Sequence, residues 1–180
     1  MKLGFISDTH GGYDDTLQAL DLLKGSELIC HVGDVLYHGP RNDLPKNYNP
    51  KQLTELLKNR TDIVYVRGNC DADVDEMVLE QDLSQKSRVI EFDNYRFYVV
   101  HGYEETEEER LKRAKELDCR VVVSGHTHVK VLEERDGMIV LNPGSTTIPK
   151  DESRSFAFYE NGQIELWSLD SQTPIKTLKL

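Results

Sequence analysis

Cysteine is scarce in this sequence, which has only three cysteines among its 180 residues. An odd number of cysteines without CxxC spacing is typical of free thiols in a reducing compartment, so we expect no disulfide framework. A chain of this length buries around 70% of the surface that its unfolded form exposes, so its core needs neither disulfides nor a stapling metal. Any metal that it binds is therefore expected to serve its function.

Long apolar runs are absent as well, and none approaches the length of about 20 residues that spans a bilayer. The first residues, Met1 to Ser7, carry one lysine and a short apolar stretch that stops at Asp8, without the features of a secretory signal. These absences predict a cytoplasmic protein with no membrane partner.

A basic surplus is also missing, because 22 lysine and arginine residues stand against 32 aspartate and glutamate residues, for a formal net charge of −10. This balance argues against a protein that follows a nucleic-acid backbone with a basic face, so we expect no extended nucleic-acid surface. The length predicts a single domain that covers residues 1–180.

Over its first two thirds the sequence alternates short β-rich apolar runs with helical patterns. The predicted strands are Leu3–Ile6, Leu28–Val32, Ile63–Val66, Phe97–Val100 and Arg120–Ser124. The predicted helices are Asp14–Lys24, Lys51–Lys58 and Glu104–Leu117. This order is typical of a mainly parallel sheet with helices on its faces.

After residue 129 the pattern changes to closely spaced strands, with the turn dipeptides Asp136-Gly137 and Asn161-Gly162 between them. The strands predicted here are Val129–Glu134, Met138–Leu141, Ser155–Glu160 and Gln163–Leu169. Such spacing predicts antiparallel hairpins. The expected fold class is therefore α/β, with parallel or mixed strands first and antiparallel hairpins in the C-terminal third.

Each of the first five predicted strands leads directly into a loop with groups that bind metals. The loops contain Asp8-Thr9-His10, Gly33-Asp34, Gly68-Asn69, His101-Gly102 and Gly125-His126-Thr127-His128. In open α/β sheets, ligands bind just beyond the carboxyl ends of the strands. Any one of these short motifs arises easily by chance, but the ordered set of five predicts one metal-dependent site.

The order DxH, GD, GN, GH, GHxH resembles that of the calcineurin-type metallophosphoesterase superfamily. Further segments resemble its subgroup of YfcE-type bacterial phosphodiesterases, namely Gly33 to Leu36, His38 to Asn42, Leu44-Pro45, Val66 to Asp71 and Asn142 to Ser145. The resemblance is specific for residues 1 to about 150 and looser for the terminal hairpin. It implies a β-sandwich flanked by helices, and it suggests a homodimer or homotetramer.

The resemblance also implies a ligand set for two metal ions. One ion would be held by Asp8, His10 and His128, the second by Asn69, His101 and His126, and Asp34 would bridge the two. Carboxylate, imidazole and amide ligands without thiolates favour Mn, Fe, Zn, Ni or Co, and the subgroup resemblance implies Mn.

The activity implied is hydrolysis of a small phosphodiester by in-line attack of a hydroxide that bridges the two metals. Asp34, Asn69 and His101 are the expected catalytic residues. His38, Arg41 and Asn42 follow on a loop rich in glycine and proline, and we expect them to bind the substrate phosphate. The competing interpretation is that this loop only packs or mediates oligomer contacts.

Two other functions remain open. The same ligands would serve a phosphomonoesterase or a nucleotide pyrophosphohydrolase, and some proteins of this fold are non-catalytic scaffolds. All seven ligand positions carry coordinating residue types, which argues against the scaffold.

Three further residues or segments carry expectations of their own. Cys70 stands where the wider superfamily usually has a histidine that assists the leaving group. A thiol is a poor acid catalyst, so we expect a preference for good leaving groups, unless Cys70 merely packs beneath the metal loop. His31 lies inside an apolar strand and is expected to be a core histidine. Asn142 to Ser145 are expected to form a turn that supports the loop of His126 and His128.

Overall fold

Eleven β-strands and four α-helices make up the computed structural model, which describes residues 1–180. The strands are β1 (Lys2–Ile6), β2 (Leu28–His31), β3 (Ile63–Tyr65), β4 (Ser87–Phe92), β5 (Tyr95–Val100), β6 (Val121–Val123), β7 (Val131–Arg135), β8 (Met138–Asn142), β9 (Ser155–Glu160), β10 (Gln163–Ser168) and β11 (Thr173–Lys179). The helices are α1 (Tyr13–Leu22), α2 (Pro50–Lys58), α3 (Asp73–Leu79) and α4 (Glu107–Glu116). No helix combines the length and the apolar character that a membrane span requires.

The strands divide between two mixed sheets. The first has the order β11-β10-β9-β1-β2-β3 and the second the order β4-β5-β6-β8-β7. Strands β1, β2 and β3 pair in parallel, as do β5, β6 and β8. The predicted hairpins β7–β8 and β9–β10 are antiparallel, as expected. The β-sandwich is confirmed, whereas the expectation of one mainly parallel sheet is wrong, because β5 and β6 belong to a different sheet from β1, β2 and β3.

Side chains that alternate along each strand fill three apolar layers. Phe97 and Val99 of β5 enter the core between the sheets, where they meet Leu3 and Phe5 of β1. Val100 and its neighbours on the opposite face pack under α4. Helices α1 and α2 cover the outer face of the first sheet in the same way. Central strands that are buried on both faces appear in the sequence as continuous apolar runs, so these strands could be predicted from the sequence.

Helix starts are set by capping groups. The side chain of Asn49 accepts a hydrogen bond from the N–H of Gln52, and Pro50 occupies the first turn of α2. Thr106 and Glu109 form a reciprocal capping box at the start of α4. Helix α4 therefore begins at Glu107, three residues later than its acidic run predicts.

Candidate metal centre

Loops from both sheets meet at one end of the sandwich, and they carry all seven predicted metal ligands. The first sheet supplies Asp8 and His10 after β1, Asp34 after β2 and Asn69 after β3; the second supplies His101 after β5 and His126 and His128 after β6. The fold therefore brings together residues that lie up to 120 positions apart in the chain (8 to 128).

The ligand atoms form two neighbouring groups. In one group, Asp8 Oδ1 lies 3.2 Å from His128 Nε2 and 3.7 Å from His10 Nε2. In the other, Asp34 Oδ2 lies 3.2 Å from His101 Nε2, and His126 Nδ1 lies 2.9 Å from Asn69 Oδ1.

Asp34 belongs to both groups, because its Oδ2 also lies 3.6 Å from His10 Nε2. A carboxylate oxygen between histidines of the two groups stands where a bridging ligand would be needed. This position agrees with the role that the resemblance implies for Asp34.

Three of the histidines are oriented by backbone carbonyls. The Nδ1–H of His10 donates to Tyr37 O at 2.7 Å, that of His101 to Val32 O at 2.6 Å and that of His128 to Ile148 O at 2.8 Å. With Nδ1 engaged, each ring directs its free Nε2 towards the carboxylates. Metal-binding histidines are commonly held in this way.

The backbone at the site is unusual. Five of the seven predicted ligands have positive φ, with values of 52° at Asp8, 42° at His10, 58° at Asp34, 70° at His126 and 58° at His128. Aspartate and histidine enter this left-handed region more readily than most side chains, but it is still disfavoured, and such residues cluster at functional sites.

Two buried polar atoms at the site have no hydrogen-bond partner. They are Asp8 Oδ1 and His101 Nε2, whose residues are completely buried. An unpaired buried acceptor is destabilising unless a cation or donor reaches it. Oxygen and nitrogen atoms grouped within 4.8 Å of one another therefore fit divalent metal ions.

Mutual attraction shifts the pKa values of these groups in opposite directions. Burial alone would raise the pKa of Asp8, but His101, His10 and His128 hold it well below its usual value. Burial alone would lower the pKa of His101, but Asp8 and Asp34 raise it to about 9. Without a metal, the nearby carboxylates thus favour the protonated form of the His101 imidazole.

Asp71 organises the loop of Asp34, a role that the sequence did not suggest. Its buried carboxylate accepts hydrogen bonds from the N–H groups of Asp34 at 2.9 Å, Val35 at 2.8 Å and Gly68 at 2.7 Å. The N–H of Cys70 then donates to Asp34 Oδ1 at 2.8 Å. The sequence feature that could have suggested this role is an acidic residue two positions after the Gly-Asn motif.

The Asn142 to Ser145 segment supports the metal loops, as expected. The Asn142 amide donates to Gly125 O at 3.0 Å and to Thr127 Oγ1 at 3.1 Å. The Ser145 hydroxyl donates to Asp8 O at 2.7 Å. This turn therefore ties the loop after β1 to the loop after β6.

His31 is a core histidine, which confirms the prediction. Its Nδ1 accepts the N–H of Gly33 at 3.2 Å, and its Nε2–H donates to Thr9 Oγ1 at 2.9 Å, since the Thr9 hydroxyl itself donates to Val35 O. Burial lowers the pKa of His31 to about 3, so the ring stays neutral.

A cleft of about 430 Å³ opens above the ligands. Arg41 and Asn42 line it, and so does Lys150, a cation that the sequence did not single out. His38 does not line this cleft. Its ring packs against Tyr37 and Tyr48, with ring centroids 4.8 and 5.3 Å apart, and its backbone carbonyl accepts from the Asn42 amide.

Cys70 forms part of the cleft wall. Its Sγ lies within 4.8 Å of a carboxylate oxygen of Asp34 and a ring nitrogen of His10. Burial raises the pKa of the thiol to about 12, and Asp34 and Asp71 add to this effect. The thiol is therefore protonated at neutral pH.

Comparison with known proteins points to one family. The calcineurin-like phosphoesterase superfamily domain matches residues 1–162. Phosphodiesterase YfcE of Escherichia coli K12 is 36% identical over 179 residues, which cover 97% of this chain and 96% of YfcE. The solved structure of YfcE, a phosphoesterase from E. coli, has a TM-score of 0.89 at 33% identity, with 99% of each chain covered.

A solved structure of vacuolar protein sorting 29 from Cryptosporidium parvum is also similar, with a TM-score of 0.70 over 99% of this chain and 98% of its own. The two sequences are 18% identical, so this likeness shows a shared fold alone.

Proposed function

Because this chain belongs to the calcineurin-like phosphoesterase superfamily, we propose that it is a dinuclear metal-dependent phosphodiesterase that hydrolyses a small phosphodiester. The observation that carries this proposal is the position of Asp34 Oδ2, 3.6 Å from His10 and 3.2 Å from His101. One carboxylate thereby serves two groups of ligands.

In this proposal Asp8, His10 and His128 hold the first ion, and Asn69, His101 and His126 hold the second. When bound, such ions activate a water molecule and neutralise the charge that develops on the phosphoryl oxygens. Two divalent ions beside Asp8 and Asp34 leave a net charge of about +2, so an anionic protein presents a cationic pocket.

The residues of the chain position the substrate around this pocket. Asp34, Asn69, Arg41, Asn42 and Lys150 line the cleft, and the buried His101 lies behind Asp34, with its Nε2 3.2 Å from Asp34 Oδ2. Arginine suits a phosphate because its guanidinium donates two parallel hydrogen bonds. A cleft of about 430 Å³ accommodates a small diester and supports the proposal that no extended nucleic acid binds.

We also propose the metal, the location, the domain organisation and the oligomeric state of the protein. Manganese is the proposed metal, with Zn, Fe, Ni and Co as alternatives, because the donors are oxygen and nitrogen. The three cysteines are unpaired, which supports the cytoplasm as location. The core shared by both sheets supports a single domain over residues 1–180. A homodimer or homotetramer rests on the family resemblance.

Metal reconstitution tests the function directly. Metal-stripped protein is re-loaded with Mn, Mg, Zn, Ni or nothing, its ions are counted, and it is assayed with an aryl phosphodiester, the matched monoester and a nucleoside polyphosphate. We expect two ions per chain and metal-dependent cleavage that favours the diester. Asp34→Asn should lose ions and activity, while Asp136→Asn, an exposed turn substitution, should keep both.

Each alternative predicts a different result. Faster cleavage of the monoester or the polyphosphate would make the protein a monoesterase or a pyrophosphohydrolase. Full activity with one ion per chain would refute the dinuclear site. Two bound ions without any hydrolysis would favour the scaffold.

A further inference from the structure

An apolar groove lies between α2 and α3, next to the cleft, and has a volume of about 720 Å³. Leu36, Tyr48, Pro50, Val74 and Val78 supply much of its lining. Val74 is 55% exposed and Val78 is 40% exposed, so α3 presents apolar side chains to solvent. Apolar pockets of this size commonly bind small organic groups.

The groove and the cleft share a wall. Tyr37, Cys70 and Ala72 line both. Cys70 reaches the metal ligands as well, because its Sγ lies within 4.8 Å of Asp34 and His10 atoms and its N–H donates to Asp34 Oδ1. The groove therefore lies directly beside the cleft that contains Asp34, with Tyr37, Cys70 and Ala72 between them.

The groove and the cleft differ in their charged residues. The groove carries both signs, with two lysines, Lys51 and Lys58, against three acids, Glu55, Asp75 and Glu80, and Lys58 pairs with Glu80 at 2.8 Å. It therefore offers a phosphate no net attraction. The cleft has Arg41 and Lys150 beside the predicted metal ligands. The phosphate is thus expected in the cleft, and an uncharged apolar group in the groove.

We propose that the groove between α2 and α3 binds an apolar ester group of the substrate, aryl or aliphatic, while the phosphate lies in the cleft. This inference rests on the proposed phosphodiesterase function and adds its substrate class. Removal of an aryl ring from water into such a groove is expected to raise kcat/KM about tenfold or more over a methyl group.

The test keeps the leaving group constant. The Mn-loaded protein is assayed with three p-nitrophenyl phosphodiesters whose second ester group is methyl, 1-naphthyl or 5′-thymidyl. We expect the naphthyl ester to have the highest kcat/KM, by about tenfold over the methyl ester. Calorimetry with two phosphinates that cannot be hydrolysed, dimethylphosphinate and methyl(1-naphthylmethyl)phosphinate, should show tighter binding of the naphthyl compound.

Substitutions in the groove should remove this preference. The double variant Val74→Ser/Val78→Ser should lose most of the naphthyl advantage and keep its rate on the methyl ester. Ile175→Ser, which changes an apolar residue 48% exposed on β11, is the control and should keep the preference.

Several results would overturn the inference. Equal affinities of the two phosphinates, with cleavage of the diesters retained, would refute the groove alone and leave the phosphodiesterase function intact. A higher value for the thymidyl ester would assign the site to a polar group. An oligomer that dissociates in the double variant, seen by sedimentation, would make the groove an interface between copies. Cleavage of none of the esters would refute the proposed function and this inference together.

Discussion

The carboxylate of Asp71 accepts the backbone N–H of Asp34 at 2.9 Å, so one buried acid fixes the position of another. Two more N–H groups, from Val35 and Gly68, converge on the same carboxylate. Gly68 must be a glycine here, since a Cβ would overlap Asp34. The bridging position of Asp34 thus depends on a residue that makes no contact with a metal in the proposed mechanism.

Asp71→Asn should weaken both folding and metal binding. An amide offers one oxygen where the carboxylate offers two, so at least one backbone N–H loses its acceptor, at about 1–3 kcal/mol. Ion affinity should fall about 10–100-fold, as for other residues that orient metal ligands. Urea unfolding and metal titration measure the two effects. Asp73→Asn, at a carboxylate 98% exposed, is the control, and equal behaviour of the two variants would refute this role.

Metal affinity should rise with pH between 7 and 9. The metal-free protein holds His101 with a pKa of about 9, and a metal binds only the neutral imidazole, so binding must displace a proton. One displaced proton gives about a tenfold rise in affinity per pH unit in this range. Calorimetric Mn titrations in buffers of different ionisation enthalpy would reveal proton release. An affinity that does not change with pH would contradict the protonated state.

His31 should make the protein sensitive to acid. Its pKa is about 3 in the folded chain against 6.5 in the unfolded one, so the unfolded chain binds more protons below pH 6.5. Its contribution to stability is complete above pH 6.5 and is lost as the pH falls towards 3, at about 1.4 kcal/mol per pH unit.

His31→Gln should remove this dependence. Denaturant unfolding of both chelated proteins from pH 8 to 5 would give the difference in free energy of unfolding between them. We expect that difference to shrink by about 2 kcal/mol between pH 6.5 and 5. A difference that stays constant would mean that His31 does not titrate on unfolding.

Ser145→Ala should destabilise the protein by about 1–3 kcal/mol, because the buried hydroxyl donates to Asp8 O and accepts the N–H of Thr147 and Ile148. Ser26→Ala is the control, since the buried Ser26 hydroxyl has no partner and its removal should leave stability unchanged or raise it. Thermal or urea unfolding would separate them, and similar losses in both variants would show that the turn is dispensable.

Cys70→His should extend hydrolysis to poorer leaving groups. The thiol is a weak proton donor, whereas an imidazolium at the same cleft wall would supply general acid catalysis, worth about 100-fold or more. The rates on an alkyl and an aryl phosphodiester should therefore converge in the variant, and Cys70→Ala should show no such convergence. An unchanged ratio of the two rates would mean that Cys70 has only a packing role.

The buried strands were predictable because the sandwich covers them on both sides. Segments such as β1, β5 and β6 appear as continuous apolar runs whatever sheet they join. For that reason the same runs do not reveal how strands divide between sheets. Pairing of β6 with β8, rather than with β1, depends on contacts between distant segments.

Partly exposed elements escaped prediction. Strand β4 and the edge strand β11 carry mixed polar and apolar residues, and β11 contains a proline and lysines that are typical of protected edges. Helix α3 has only seven residues, too few for a clear periodicity. No sequence pattern identified the groove, because α2 and α3 form it only when they pack side by side.

The predicted ligands were found because metal chemistry restricts residue types at strand ends. Their supporting residues were harder to find. Asp71 acts on backbone N–H groups, Lys150 reaches the cleft through a loop, and His38 turns away towards Tyr48. Such roles follow from tertiary placement, which motif spacing does not encode.

Ligands drawn from both sheets have a mechanical consequence. Asp8, His10, Asp34 and Asn69 extend from one sheet, and His101, His126 and His128 extend from the other. Ions bound between them would cross-link the two sheets at this end of the sandwich. The sheets could then not separate there without releasing the ions. In such a protein, the lifetime of the folded state is coupled to the rate at which its metals leave.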